Sequence, residues 1–271
     1  MLFNGFYINL IAGSPRDLSM QAEIAKCGLN GRLSRFQAIR GTKTARLTAA
    51  EAGCLMSHYS IIRDAPRDKH LLILEDDIVL PREFTKHLDL VLANLQPSLD
   101  MIFLGSLFNY HNLIVIKSWL NLVSRLDLAK KLKNPDKFFF LNSKDWYSAG
   151  GHAYLLNNNR LDKIKTLIEQ SVSSGANENI DEIYFRAIKT DLINANIIFP
   201  FIVGLNDTLD SHTQERNSKE EQRLYGVSSN VFSVAVAYDD LLRQVVANHS
   251  SEDFDLNAFL FGHIATQRLI S

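Results

Sequence analysis

The chain has 271 residues, of which 46% are hydrophobic and 22% are charged, and its formal net charge is -1. This near-neutral balance argues against general electrostatic attachment to nucleic acid, which normally leaves a basic surplus. The two cysteines, Cys27 and Cys54, are too few for a disulfide framework and lack a CxxC spacing, so we expect a reducing compartment. No apolar run reaches the ~20 residues that span a bilayer, and we therefore expect a cytoplasmic protein.

The first elements alternate between strand and helix. Residues 6–10 are rich in β-forming types and precede a turn cluster, so they predict the first strand, and a helix is predicted over residues 15–27. A second strand is predicted at residues 36–39. Strand, helix and strand in this order indicate an α/β sheet.

A helix is predicted from Thr48 to about Arg63. Thr48 and Glu51 have the capping-box spacing, in which each side chain satisfies a backbone N–H group at the helix start. This cap is a sufficient structural role for Glu51. Ser57 and His58 lie near the end of the helix, from where they could project toward a site on the sheet.

Residues 71–80 carry the strongest functional signal, because four large aliphatic residues are followed directly by Glu75, Asp76 and Asp77. An unbroken apolar run predicts a strand covered on both faces, as in a parallel sheet, and such sheets bind ligands at the carboxyl ends of their strands. Strand alternation places Glu75 and Asp77 on one face and Asp76 on the other. Adjacent carboxylates favour a compensating hard cation, Mg²⁺ or Mn²⁺. A solvated acidic loop that binds nothing is the alternative.

A basic segment follows the acidic strand and two further elements. Pro81 suits the first turn of a helix predicted to about Leu95, and residues 100–105 predict a buried strand. Residues 117–137 then hold six Lys or Arg against two Asp, beside an apolar stripe at helical spacing. We interpret residues 110–137 as an inserted basic amphipathic helix that could meet an anionic membrane. A surface helix packed on its own domain is the alternative.

The rest of the chain supplies later strands and helices. Strands are predicted at residues 138–141, 148–156 and 196–203, and the second of them contains Gly150 and Gly151, which permit a close ligand or a bulge. A helix is predicted at residues 158–171, and another begins near residue 179 with Asp181 and Glu182 in its first turn, where acids favour the helix dipole. Apolar stripes after residue 231 predict helices. We therefore expect a catalytic domain at residues 1–215 and a C-terminal helical extension at residues 216–271.

The ordered set of motifs resembles glycosyltransferase family 25, which includes bacterial lipooligosaccharide galactosyltransferases and relatives of the collagen galactosyltransferases. The motifs are Ile8-Asn9-Leu10 with Arg16, Phe36-x-Ala38-x-x-Gly41, Leu47-Thr48-x-x-Glu51-x-Gly53-Cys54-x-x-Ser57-His58, Leu72-Ile73-Leu74-Glu75-Asp76-Asp77, Gly151-His152-Ala153-Tyr154 and Asn179-Ile180-Asp181-Glu182. The resemblance covers about the first 215 residues. It implies a GT-A-type, Rossmann-like nucleotide-sugar fold flanked by helices, and an inverting transfer of a hexose, most often galactose, from a UDP-sugar to a lipopolysaccharide-type oligosaccharide acceptor.

The resemblance implies roles for individual residues in donor binding, metal binding and catalysis. For the UDP-sugar we expect contacts from Asn9, Leu10, Arg16, Ala38, Ser57, His58, Glu75, Asp76 and Gly151. For a divalent metal, Mn²⁺ or Mg²⁺, we expect Asp77 and Glu75, with His212 as a lower-ranked ligand. For the base that takes the acceptor proton, Asp181 is the first candidate and Glu182 the second.

Two other functions fit parts of the pattern. A carbohydrate-binding or scaffold protein could keep the fold and transfer nothing, although the acidic triplet and Asp181 weigh against such a loss of the site. An aspartyl phosphotransferase also uses acids at a strand end, but it would need its nucleophile after the first strand, where the chain has Asn9-Leu10-Ile11.

Overall fold

A seven-stranded mixed sheet forms the centre of the computed structural model, which describes residues 3–106, 138–147, 149–199 and 201–206. The strands are Phe3–Asn9 (β1), Leu33–Gln37 (β2), His70–Glu75 (β3), Ile78–Val79 (β4), Met101–Phe103 (β5), Phe139–Asn142 (β6), Ala153–Leu156 (β7), Ala195–Phe199 (β8) and Gly204–Leu205 (β9). Their order in the large sheet is β2-β1-β3-β7-β5-β8-β6, and β4 pairs with β9 in a separate ribbon.

Helices cover both faces of this sheet. They are Pro15–Lys26 (α1), Ala49–Asp64 (α2), Phe84–Ala93 (α3), Ser143–Trp146 (α4), Leu161–Ser173 (α5) and Ile180–Lys189 (α6), with a 3₁₀ turn at Asn158–Arg160. Strand alternation divides the apolar side chains between two cores. In β3, Leu71 and Ile73 pack with residues of α2, α5 and α6, whereas Leu72 and Leu74 pack with residues of α1 and α3. The α/β architecture predicted from the sequence, a sheet flanked by helices, is confirmed and is consistent with a GT-A-type fold.

The acidic strand β3 differs in one respect from the prediction of parallel surroundings. It pairs in parallel with β1 but antiparallel with β7, which lies between β3 and β5. Both its faces are nevertheless covered, and the four residues 71–74 are fully buried. As a result, the carboxyl ends of β1, β2, β3 and β5 share one edge of the sheet with the beginning of β7.

Several predicted boundaries shift. Pro81 lies in the turn before α3, whose first residue Phe84 donates a backbone hydrogen bond to the Pro81 carbonyl. The second strand ends at Gln37 rather than at residue 39, and β7 begins at Ala153 rather than at residue 148. The basic insertion, His212 and the C-terminal extension lie outside the described residues. Within the described ranges, the helices are too short or too polar to cross a membrane.

Candidate active site

The first polar cluster at the carboxyl edge of the sheet consists of Asn9, Arg16, Asp76 and Asp77, and we call it the Arg16 cluster. Arg16 Nε donates to Asp76 Oδ1 at 2.7 Å, and Arg16 Nη2 lies 2.8 Å from Asp77 Oδ2. Asn9 Nδ2 donates to Asp76 Oδ2 at 2.6 Å. Because both of its oxygens are engaged, buried Asp76 ties the end of β3 to the end of β1 and to the start of α1.

Asp77 has one carboxylate oxygen that is not satisfied. Its Oδ1 is buried and accepts no hydrogen bond from any residue that the structure describes. Burial, followed by the negative charge of Glu75, raises the pKa of Asp77 to about 6, although Arg16 opposes this rise. A buried carboxylate with an unpaired oxygen and a second carboxylate nearby fits a hard divalent cation, which would supply the missing partner.

Glu75 faces the other side of the sheet from Asp76, as strand alternation predicts, and belongs to a second group. Cys54, His58, Glu75, Tyr154 and Tyr184 make up this group, which we call the His58 cluster. Glu75 Oε1 lies 3.4 Å from His58 Nε2 and 3.6 Å from Cys54 Sγ. His58 Nδ1 lies 2.6 Å from the Tyr154 hydroxyl, to which Tyr184 donates at 3.1 Å.

The charges in the His58 cluster lower the pKa of Glu75 and raise the pKa of Cys54. Burial alone would raise the pKa of Glu75, but the hydrogen bond and charge of His58, with smaller contributions from His152 and Arg16, lower it. Burial and the Glu75 charge raise the pKa of the Cys54 thiol well above its usual value. Glu75 is therefore an anion at neutral pH, whereas the Cys54 thiol stays protonated and is a poor nucleophile unless a cation displaces its proton.

Asp181, in the first turn of α6, accepts three hydrogen bonds on a single oxygen. The Tyr147 hydroxyl and the backbone N–H groups of Gly150 and Gly151 donate to Asp181 Oδ1 at 3.0, 3.0 and 2.7 Å. A Cβ at Gly151 would lie 3.0 Å from the same oxygen, so glycine allows this close approach. Burial and the Asp181 charge raise the pKa of Tyr147, which keeps the phenol protonated as a donor.

Glu182, the second candidate base, has a different environment from Asp181. It is exposed, and its carboxylate accepts the backbone N–H of Asn179 at 2.9 Å while Asn179 caps the Glu182 N–H in return. This capping box is a complete structural role. The corresponding box predicted at Thr48 and Glu51 is also present at the start of α2.

Ser57 lies inside the protein, where it binds backbone groups and does not face the site. The side chain is fully buried, accepts from the Ile39 backbone N–H at 2.8 Å and donates to the Gly53 carbonyl at 2.7 Å. A Cβ at Gly53 would lie 2.4 Å from the Ile39 carbonyl oxygen, so the loop after β2 runs against the backbone of α2. Ser57 thereby holds the segment that contains Ala38.

Comparison with known families agrees with this arrangement. The family model described as glycosyltransferase family 25 (LPS biosynthesis protein) matches residues 29–184, more than half of the chain. The chain belongs to glycosyltransferase family 25. The match contains α2, the acidic strand and the Asp181 region, whereas Asn9, Leu10 and Arg16 precede it. A search of curated proteins finds no match.

In this family member, the predicted donor residues other than the buried Ser57 form groups at the ends of the strands. Ala38 N donates to the Asn9 carbonyl at 3.0 Å, and Gln37 Nε2 donates to the Leu10 carbonyl at 2.6 Å, so the ends of β1 and β2 are linked. Arg16 and Asp76 are in the Arg16 cluster, and His58 and Glu75 are in the His58 cluster. Gly151 lies against Asp181.

Sequence reasoning missed five residues as parts of the site: Cys54, Tyr147, His152, Tyr154 and Tyr184. His152 is buried, its carbonyl accepts the Glu75 N–H at 2.8 Å, and burial lowers the pKa of its imidazole. The Gly-His-Ala-Tyr motif contained a signal for His152 and Tyr154. The unpredicted feature was the position of β7 directly beside β3.

Proposed function

We propose that this family 25 glycosyltransferase moves a hexose, with galactose as the first candidate, from a UDP-sugar to a lipopolysaccharide-type oligosaccharide acceptor with inversion at the sugar carbon. The observation that carries the proposal is the buried carboxylate of Asp77, whose Oδ1 lacks a partner among the described residues. Its position at the carboxyl end of β3 is where open α/β sheets bind ligands.

The donor would lie along the edge formed by the ends of β1, β2 and β3. We assign the nucleoside to the half-buried edge at Leu10 and Ala38, next to Asn9. Arg16 would contribute positive charge near the diphosphate while it remains paired with Asp76 and Asp77. Ser57 and Asp76 would act by positioning these groups, because both are buried and engaged in hydrogen bonds.

Asp77 and Glu75 would hold the divalent metal, Mn²⁺ or Mg²⁺, with His212 as a further candidate ligand from outside the described residues. The bound ion would stabilise the charge that develops on the leaving diphosphate. The unpaired Asp77 Oδ1 supports this assignment, because an ion there would satisfy it and relieve the repulsion from Glu75.

Asp181 is the proposed base. Its three donors all bind Oδ1, which fixes the carboxylate and leaves Oδ2 to receive the acceptor proton. The Gly150–Gly151 backbone brings this carboxylate to the beginning of β7, beside the end of β3. Glu182 is the less favourable base, since its carboxylate caps its own helix.

A thermal-shift experiment with a panel of UDP-sugars, each with and without Mn²⁺, tests the proposal. A donor at about 100 times its dissociation constant adds about 2.7 kcal/mol of stability, so the cognate sugar should raise the melting temperature only when metal is present. If none of the UDP-sugars stabilises the protein, with or without Mn²⁺, the result contradicts the proposed donor and favours the alternative of an inactive carbohydrate-binding or scaffold protein.

The acceptor side of the proposal depends on residues outside the described ranges. We propose that residues 1–215 form the catalytic domain, that residues 216–271 form a helical extension, and that the basic segment at residues 110–137 contacts an anionic membrane carrying the glycolipid acceptor. Its six cationic residues in a nearly neutral chain support this, because each Lys or Arg near an anionic surface adds about 1 kcal/mol.

A further inference from the structure

Three chemically different ligand atoms converge within the His58 cluster. They are Cys54 Sγ, His58 Nε2 and a carboxylate oxygen of Glu75, and all lie within 4.8 Å of one another. We propose that these three residues form a binding site for a thiophilic divalent cation, Zn²⁺, which shares Glu75 with the proposed hard-metal position but does not include Asp77.

Two of the three separations between these atoms fit tetrahedral zinc coordination. Typical bond lengths are about 2.3 Å for zinc to sulfur and about 2.0 Å for zinc to imidazole nitrogen or carboxylate oxygen. Tetrahedral angles between such bonds place sulfur and oxygen about 3.5 Å apart and nitrogen and oxygen about 3.3 Å apart. The observed distances from Glu75 Oε1 are 3.6 Å to Cys54 Sγ and 3.4 Å to His58 Nε2. The Glu75 carboxylate therefore already lies at coordination distances from both of its partners, while Cys54 Sγ and His58 Nε2 lie within 4.8 Å of each other.

Rigid elements hold the three ligands. Cys54 and His58 are four residues apart in α2, so they lie on the same helix face one turn apart, and Glu75 is the last residue of β3. The side chain of His58 is held in place by its surroundings, since it is fully buried. Cys54 and Glu75 are partly exposed, which gives an ion access and leaves a fourth coordination position for water.

The other ring nitrogen of His58 also has a polar partner. A metal-binding histidine usually donates its other ring N–H to a polar partner, which fixes the tautomer and the ring orientation. With Nε2 on the metal, His58 Nδ1–H would donate to the Tyr154 hydroxyl, which lies 2.6 Å away and is itself held by Tyr184. The Tyr154 ring also stacks with the His58 ring, at a centroid distance of 5.7 Å.

The ligand set distinguishes this site from the donor-metal position. Thiolate and imidazole favour zinc over Mg²⁺, whereas Asp77 offers only oxygen and is paired with Arg16. Glu75 is common to both positions. Zinc binding at Cys54 and His58 does not require that the proposed sugar transfer be correct.

Cobalt titration of the intact chain tests the site, because Co²⁺ replaces Zn²⁺ and bonding to a thiolate gives a near-ultraviolet charge-transfer band. We expect one equivalent of Co²⁺ to produce this band and one equivalent of Zn²⁺ to remove it. Cys54→Ser should abolish the band, and Glu75→Gln should weaken zinc affinity more than about 10-fold. Circular dichroism checks that each variant is folded.

Two control variants separate this site from the second thiol of the chain and from the carboxylate of Asp77. Cys27→Ser changes the other cysteine, whose buried Sγ donates to the Pro81 carbonyl, and should leave the band intact. Asp77→Asn should also leave it intact, even if it disrupts the proposed donor-metal position. A parent protein without the band, a band that survives Cys54→Ser, or a band lost in Asp77→Asn would overturn the proposal.

Discussion

Replacing Asp181 with Asn separates its structural role from its proposed chemical role. The amide oxygen can still accept hydrogen bonds from Tyr147, Gly150 and Gly151, but without the negative charge. Hydrogen bonds to charged groups contribute about 1.5–3 kcal/mol and neutral ones about 0.5–1.5 kcal/mol. Because Asp181 is partly exposed, we expect the three bonds together to lose about 2 kcal/mol, which lowers the melting temperature by about 4–8 °C.

The effect of Asp181→Asn on transfer should be much larger than its effect on stability. Loss of the proton acceptor should lower turnover by about 10²- to 10⁴-fold, while the affinity for UDP-sugar stays at the parental value. Calorimetry with donor and metal, and turnover with acceptor, should be measured on the same protein well below its melting temperature.

Glu182→Gln is the matched control, since it changes the neighbouring acid and glutamine also serves in capping boxes. We expect parental turnover and a change of less than about 0.5 kcal/mol in unfolding free energy. The assignment of the base would be refuted if Glu182→Gln lost activity while Asp181→Asn kept it. If Asp181→Asn lost donor affinity together with turnover, Asp181 would be a donor ligand instead.

Three further changes test other parts of the account. Ser57→Ala should leave the Ile39 N–H without its partner and lower the unfolding free energy by about 1–2 kcal/mol, measured by chemical denaturation. It should also raise the Michaelis constant for UDP-sugar. An unchanged Michaelis constant would show that the loop after β2 does not depend on this hydrogen bond. Changing Lys130, Lys131 and Lys133 to Gln should weaken sedimentation with anionic liposomes and raise the Michaelis constant for glycolipid, with UDP-sugar hydrolysis as the unchanged control. Burial alone would raise the pKa of Asp17, but hydrogen bonds from Gly13, Tyr7 and Gln21 and the positive charge of Arg35 lower it. The ionised Asp17 carboxylate therefore stabilises the folded protein at pH values above its unfolded-state pKa. This stabilisation is lost as the pH falls through the lowered folded-state pKa. Asp17→Asn should therefore narrow the difference in unfolding free energy between pH 7 and pH 3, and an unchanged difference would contradict this.

The sequence predicted those features that depend on short-range patterns. The apolar run before Glu75 predicted a buried strand because its residues have no polar alternation, and β3 is buried on both faces. The Thr48–Glu51 spacing predicted a helix start because its hydrogen bonds are local. Strand alternation also predicted the opposite directions of Glu75 and Asp76. It did not predict that Asp77, expected on the side of Glu75, contacts Arg16 together with Asp76, because β3 ends at Glu75 and the alternation ends with it.

Features that depend on long-range pairing could not be predicted. The antiparallel position of β7 beside β3 brings His152 and Tyr154 to Glu75 from almost eighty residues away, and no local pattern specifies that neighbour. The burial of Ser57 could not be predicted either, because a serine on a helix can contact a bound ligand or form a hydrogen bond inside the protein. Pro81 was misplaced since a proline suits both a first helical turn and the turn before it.

The central claim is that Asp77 holds a divalent cation for the donor diphosphate, and Mn²⁺-dependent release of UDP by Asp77→Asn tests it most directly. Asp100→Asn is the matched control. Like Asp77, Asp100 has a buried Oδ1 without a hydrogen-bond partner among the described residues. Unlike Asp77, it precedes β5 and so lies at the opposite edge of the sheet. The account predicts that Asp77→Asn loses metal-dependent turnover and remains folded, whereas Asp100→Asn is less stable and keeps that turnover below its melting temperature. Near-parental, Mn²⁺-dependent turnover by Asp77→Asn would contradict the account.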